Sequence, residues 1–223
     1  NVEHKQINFV PSNNGYEWTD PSYHLPAFFE IWAEFANDGK EQFYRDCADT
    51  ARVFLHRACH PVTGLNADYS EFRGAPRARG RMGTAFRFDS WRVPMNIAMD
   101  YSWYAKDIEW QQDYAIRFQN FLFSKGIDTF EDQFNLDGTT PDWILSAGET
   151  KKLRHSLGLV STSAAASLMG TQAKSWIFID KLWDAQLEPY EDGFFDPYFD
   201  GFMYLFSIMH LSGNYQIITQ EGK

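Results

Sequence analysis

The chain has 223 residues, 44% hydrophobic and 22% charged, which is enough for one domain with a sizeable core and excludes a disordered chain. Its formal net charge of −10 argues against a nucleic-acid partner, because a phosphate-binding surface needs a basic patch. No window of 18 apolar residues occurs, so no transmembrane helix is expected.

Read in order, the sequence gives helices joined by loops, with almost no strand alternation. Leu25, Phe28, Phe29, Trp32, Phe35 and Ala36 follow the i, i+3, i+4, i+7 rule and predict a helix over 25–38. A second helix, 40–59, puts Phe43, Cys47, Ala51, Phe54, Leu55 and Ala58 on one face and stops at His60-Pro61. Cys47 and Cys59, twelve residues apart on it, are beyond disulfide reach. A long loop, 61–88, follows, rich in Gly and Arg. Arg73, Arg77, Arg79, Arg81 and Arg87 read there as solvated residues pairing with nearby acids.

A third helix is predicted over 90–105, with Pro94 in its first turn, and a fourth over 107–124. The long loop 127–154 contains Leu136-Asp137-Gly138, a turn with too few carboxylates for a calcium loop. The fifth helix, 156–169, carries no charge and so reads as buried on all sides. A sixth spans 171–185 and a seventh 198–212. Short connections at 38–40, 105–107 and 169–171 alternate with long ones. That rhythm predicts an all-α fold, a partial α/α barrel of antiparallel hairpins with its long loops gathered at one mouth.

Candidate chemistry lies on the long-loop side. Asp89, in Phe86-Arg87-Phe88-Asp89-Ser90-Trp91-Arg92-Val93, reads either as a helix N-cap or as a carboxylate able to deprotonate water. Arg92, one turn on, is a candidate for keeping that carboxylate ionised. In Asp20-Pro21-Ser22-Tyr23-His24-Leu25-Pro26 two prolines hold Tyr23 and His24 with little freedom. Arg154 and His155 stand at the start of the buried fifth helix, either as structural residues or as substrate contacts. The aromatic content is 17%. Trp18, Tyr69, Trp91 and Tyr198 are candidates for stacking on sugar rings, with core packing as the alternative. No phosphate loop, Cys-x-x-Cys, His-Glu-x-x-His or Gly-x-Ser-x-Gly is present, and no metal or cofactor is expected.

Several of these segments together resemble glycoside hydrolase family 8. They are Asp20 to Pro26, Ala58-Cys-His-Pro-Val-Thr-Gly-Leu65, Asp89-Ser-Trp-Arg-Val93, His155-Ser-Leu-Gly-Leu159, and Tyr204-Leu-Phe206 with Leu211-Ser-Gly-Asn214. Their order is most similar to the members that release xylose from the reducing end of xylo-oligosaccharides. The resemblance implies an (α/α)6 barrel and inverting hydrolysis of β-1,4-xylosidic bonds without a cofactor. It implies Asp89 as general base, Tyr23 beside the attacking water, and His155 near the reducing-end sugar. Arg154 and the loop at 141–153 depart from the family pattern, which keeps endo-acting members (endoxylanase, endoglucanase, chitosanase) as alternatives.

The family barrel has twelve helices, and about seven are predicted here. Residues 1–223 then read as the C-terminal portion of one catalytic domain. The family's general acid, a glutamate in the N-terminal half, has no counterpart. Glu17, Glu71 and Glu149 lack its context. The chain is therefore expected to need the remaining half of the barrel, and to be inactive alone. A non-catalytic carbohydrate-binding toroid and an epimerase-like barrel are the readings from other classes. The start, Asn-Val-Glu-His, has neither an initiator Met nor an apolar signal region. A bacterial cytoplasm or periplasm is the expected compartment.

Overall fold

The computed structural model describes residues 1–79, 83–142 and 152–218. Among them seven α-helices form: α1 (Pro26–Phe35), α2 (Glu41–Ala58), α3 (Arg92–Trp103), α4 (Ile108–Ser124), α5 (Leu157–Ala165), α6 (Lys174–Asp184) and α7 (Phe199–Leu211). Each matches a predicted helix, trimmed by one to three residues at most ends. Extended pairing among the described residues is limited to isolated bridges such as Thr19 with Ser70 and Phe86 with Phe134, which pin the long loops. Cys47 and Cys59 are both buried free thiols.

The uncharged fifth segment divides. α5 ends at Ala165 and continues as a 3-10 turn, Ala166–Met169. All nine residues of α5 are buried. Its hydroxyls are satisfied locally, Ser161 Oγ donating to the Leu157 carbonyl at 2.6 Å and Ser163 Oγ to that of Val160 at 2.8 Å. A helix can therefore carry Ser and Thr yet be enclosed by apolar neighbours.

α1, α3, α5 and α7 form an inner row in which each packs on the next, while α2 backs α1, α4 backs α3 and α6 backs α5. Phe54, Phe118, Phe134, Ile97 and Leu159 fill the space between the two rows. The inner helices start at one end of this arc. Gly158 N–H donates to Asp200 Oδ1 at 2.9 Å, and the Trp91 ring packs on Phe199 at 5.7 Å. The turns Pro21–Tyr23 and Phe88–Trp91 lie at the same end and contact each other. This end is the mouth.

The arc is open, but not at α5, which α3, α6 and α7 enclose as its lack of charge predicts. Uncovered apolar side chains lie on the terminal inner helices and on α6, where Trp176 and Trp183 are exposed. Trp32 and Phe35 of α1 are exposed, as are Tyr198, Phe202 and Leu205 along α7. Between α1, α3 and α7 runs a groove of about 410 Å³, lined by Phe28, Met95, Met99, Phe202 and Phe206, with Arg92 among its polar residues.

The arginines of the 61–88 loop are not uniformly solvated. Arg77 pairs with Glu71 at 2.7 Å as expected, and Arg79 lies over the rings of Phe9 and Trp18. Arg87, in contrast, is 1% exposed and pairs with buried Asp68 at 3.0 Å. A guanidinium enters a protein interior when a carboxylate waits there, and no local pattern announces that partner. Arg81 and Glu149 lie outside the described residues, as do 143–151 of the second long loop.

Candidate active site

The site is built on a sharp turn. Ser90 Oγ accepts the Arg87 amide and donates to the Arg87 carbonyl, both at 2.6 Å. Phe88 follows with φ 40°, a left-handed backbone that costs a non-glycine residue about 1–3 kcal/mol. Its ring lies beneath the Arg87 guanidinium at 4.9 Å and 5.7 Å from Trp91. Residues Phe88–Trp91 form a 3-10 turn whose N-cap is Arg87. Asp89 is thus inside the turn and makes no capping bond, so the helix-cap reading of this residue is corrected.

In 3-10 geometry side chains at i and i+3 eclipse. Asp89 and Arg92 therefore project together, and Arg92 Nη2 lies 2.8 Å from Asp89 Oδ1. Both remain accessible, at 35% and 27% side-chain exposure. The same Nη2 donates to Ser22 Oγ at 2.7 Å, and Asn96, one turn along α3, donates to the Ser22 carbonyl at 2.9 Å. These bonds clamp the Pro21–Tyr23 turn onto α3. The Arg92 guanidinium lies 5.8 Å from the Tyr23 ring centroid. Burial raises the Tyr23 phenol, and the charges of Asp20 and Asp89 raise it further, so it is kept as a proton donor.

Two more acids flank this group. Asp20 is fully buried, accepts the Ser22 amide at 2.7 Å and lies 3.5 Å from Arg92 Nη2. Burial pushes its carboxyl up to about 7. Burial likewise pushes Asp68 up to about 6, with Arg87 opposing and Asp89 reinforcing the shift. Neither acid was singled out from the sequence. The Asp20-Pro21-Ser22 capping turn was the available signal for the first. Asp68 had none, since its importance comes from Arg87, nineteen residues away.

The aromatic candidates divide. Trp18 and Tyr69 do come together, at 4.8 Å, in a cluster with Phe9, which stacks on Trp18 at 4.1 Å and lies 6.1 Å from Tyr23. Both are largely buried, at 5% and 9% exposure, so they form a wall behind Tyr23 and offer little open ring face. Trp91 is corrected to a core residue. It is 3% exposed, and its indole N–H donates to the Asp132 carbonyl at 3.0 Å. Tyr198, 74% exposed, borders the open groove at the start of α7.

His155 and Arg154 precede α5 and are held by partners of their own. The His155 ring engages the Phe130 carbonyl through Nδ1 at 2.9 Å, and burial lowers its pKa. It lines a separate recess of about 430 Å³ with Asp128 and Lys181. Arg154 is drawn inward, its guanidinium 2.8 Å from Asp192 and 4.3 Å from the Phe194 ring centroid, and so anchors the 185–198 connection. Of the glutamates, Glu71 is paired with Arg77 and Glu17 is exposed at the end of the 3-10 turn Gly15–Glu17.

Residues 8–181 match the sequence model of the Glycosyl hydrolases family 8. The chain belongs to glycoside hydrolase family 8. It is 34% identical, over its whole length, to 53% of a reducing end xylose-releasing exo-oligoxylanase of Halalkalibacterium halodurans. It is also 28% identical, over 90% of its length, to 39% of Endoglucanase 2 of Ruminiclostridium josui. The solved structure of Rex8A from Paenibacillus barcinonensis complexed with xylose superposes with a TM-score of 0.84 at 31% identity, covering 99% of this chain and 54% of that one. The chain thus spans about half the length of the exo-oligoxylanases it matches, and the seven helices among its described residues are part of the family 8 (α/α)6 barrel.

Proposed function

We propose that this chain supplies the base-bearing half of an inverting glycosidase that hydrolyses β-1,4-xylo-oligosaccharides. The observation that carries the reading is the Asp89–Arg92 pair at the mouth. Arg92 holds one oxygen of a carboxylate that remains partly open to solvent, so the other oxygen can accept a proton from water. Tyr23, clamped alongside and kept protonated, is suited to orient that water. The xylan-directed relatives supply the substrate class.

Inversion also needs an acid about 6.5–9.5 Å from the base, on the opposite face of the sugar. We infer that it comes from the rest of the barrel, whose helices would cover the apolar stripes of α1 and α7 and fill the groove between them. The test is proton NMR of xylohexaose turned over by the complete gene product. Newly formed α-anomer is expected; newly formed β-anomer overturns the reading. The 223-residue chain assayed alone is expected to give no turnover.

A second reading, endo action, is favoured by one observation: the His155 ring is engaged by the Phe130 carbonyl and lines a recess with Asp128 and Lys181. Xylose as the first product from xylohexaose supports exo action, and early xylobiose and xylotriose support endo action.

A further inference from the structure

Asp20 stands directly behind the Asp89–Arg92 pair and has no part in the hydrolysis described above. It is wholly buried, a state a carboxyl tolerates only when paired or neutral. Oδ1 is used by the Ser22 amide, but Oδ2 is buried without a hydrogen-bond partner. The nearest charge to Oδ2 is Arg92 Nη2 at 3.5 Å, the same nitrogen that holds Asp89 Oδ1 at 2.8 Å and Ser22 Oγ at 2.7 Å. One guanidinium nitrogen is therefore shared by two carboxyls, one at the surface and one set back in the core.

We propose that Asp20 is a positioning residue for Asp89: held as a distant partner of Arg92, it leaves the guanidinium committed to Asp89 and to the Tyr23 turn. This rests on the reading of Asp89 as base. A charged Asp20 would compete for Arg92 and draw it inward, because an uncompensated carboxylate at full burial is far costlier than one at the surface. The groups facing Asp20 include the phenols of Tyr23 and Tyr69, both raised by burial and then by nearby carboxylates and so neutral. Arg92 and Asp89 approach from the adjoining turn and α3, and the Ser22 amide from its own turn. His24 Nδ1 meets the Asp20 carbonyl at 3.2 Å, its imidazole kept neutral by burial. Of these only Arg92 is a cation. Burial holds the Asp20 carboxyl up near 7, so the competition begins on the alkaline side of neutrality.

The experiment compares wild type, Asp20→Asn, Asp20→Ala and Asp89→Asn in the complete gene product, measuring kcat and KM on xylotriose against pH. Asparagine keeps an acceptor for the Ser22 amide and is permanently neutral. Asp20→Asn is expected to match wild type within about twofold in mild acid, and to carry its alkaline limb about half a pH unit higher. Asp20→Ala, which leaves the Ser22 turn unheld, is expected to lose about tenfold in kcat with little change in KM. A pH profile for Asp20→Asn that superimposes on wild type overturns the proposal, even if Asp20→Ala fails to fold. Asp89→Asn separates the two failures. Retained turnover there removes the base itself, whereas lost turnover there with an unshifted Asp20→Asn profile removes the role of Asp20 alone.

Discussion

Asp89 Oδ1 and Arg92 Nη2 are 2.8 Å apart, joined across the junction where the Phe88–Trp91 turn becomes α3. The turn sets this pair by local geometry, since 3-10 winding superimposes residues three apart. Asp89→Asn keeps the shape of the side chain and removes its ability to take a proton. In the complete enzyme we expect kcat to fall by about 10²–10⁴-fold with KM changed little, measured on xylotriose.

Arg92 serves Asp89, Ser22 and, at longer range, Asp20 from one planar group. An ammonium on a flexible stem cannot hold that fork. Arg92→Lys is therefore expected to lower kcat about tenfold or more while circular dichroism stays unchanged. Wild-type kcat in Arg92→Lys would mean that charge alone suffices and that the clamp on Tyr23 is dispensable.

The helices and their hairpin rhythm were legible because most carry an apolar stripe, broken where a buried ion pair such as Arg52 with Asp100 crosses it, and α5 because it lacks charge altogether. Asp89 with Arg92 was legible through local spacing. Asp20 and Asp68 were not, because their roles depend on partners seventy-two and nineteen residues away. Trp91 misled for a geometric reason. Lying between Asp89 and Arg92 in the same tight turn, it must point elsewhere, and its indole goes down to the Asp132 carbonyl. The direction of the His155 ring was not legible, because proximity to a helix start says nothing of it and the Phe130 carbonyl decides it.

Beneath the site, Arg52 of α2 ties three helices together. It binds Asp100 of α3 through two nitrogens at 2.9 and 2.7 Å, and Glu30 of α1 at 2.9 Å. Burial would raise the Glu30 carboxyl, but hydrogen bonds from Lys106 and Arg52 outweigh it and hold it low. Arg52→Met leaves Asp100, with no exposed surface, without its cation. We expect a loss of about 3–5 kcal/mol in urea denaturation. Arg52→Met/Asp100→Leu should recover part of it, because no buried charge is then stranded on α3.

His24 gives a pH signature of its own. Its ring stacks on Phe54 at 3.9 Å, Nε2 is buried without a partner, and burial pushes its pKa down to about 4 from an ordinary 6.5. The unfolded chain thus binds the proton more readily than the native one. The stability owed to neutral His24 is present above pH 6.5 and lost as pH falls towards 4, by at most about 1.4 kcal/mol per unit. Asp20, Asp68 and Asp132, raised to about 7, 6 and 6, run the opposite way and favour the folded state as the medium becomes acidic. Only a difference measurement separates the two. The free-energy gap between wild type and His24→Phe should shift in favour of the variant from pH 6.5 down to 4. A gap constant with pH would contradict the buried neutral imidazole.

The open edges make the last prediction. α7 presents Tyr198, Phe202 and Leu205 at i, i+4 and i+7, with exposures of 74%, 43% and 49%, and its one charged residue, Asp200, is turned inward to Gly158 and Tyr190. α1 shows Trp32 and Phe35 at the other end of the arc. A continuous apolar surface of this kind is rarely left in water and is normally covered by a partner. The isolated chain is therefore expected to bind the dye ANS and to sediment as larger species. Phe202→Arg/Leu205→Arg should reduce both effects, since both side chains are about half exposed and the arginine stems can keep part of the packing. The same double substitution in the complete gene product should do the reverse and lower its melting temperature, by placing two cations inside a closed seam. If the complete protein tolerates both arginines unchanged, the stripe on α7 is not where the rest of the barrel packs.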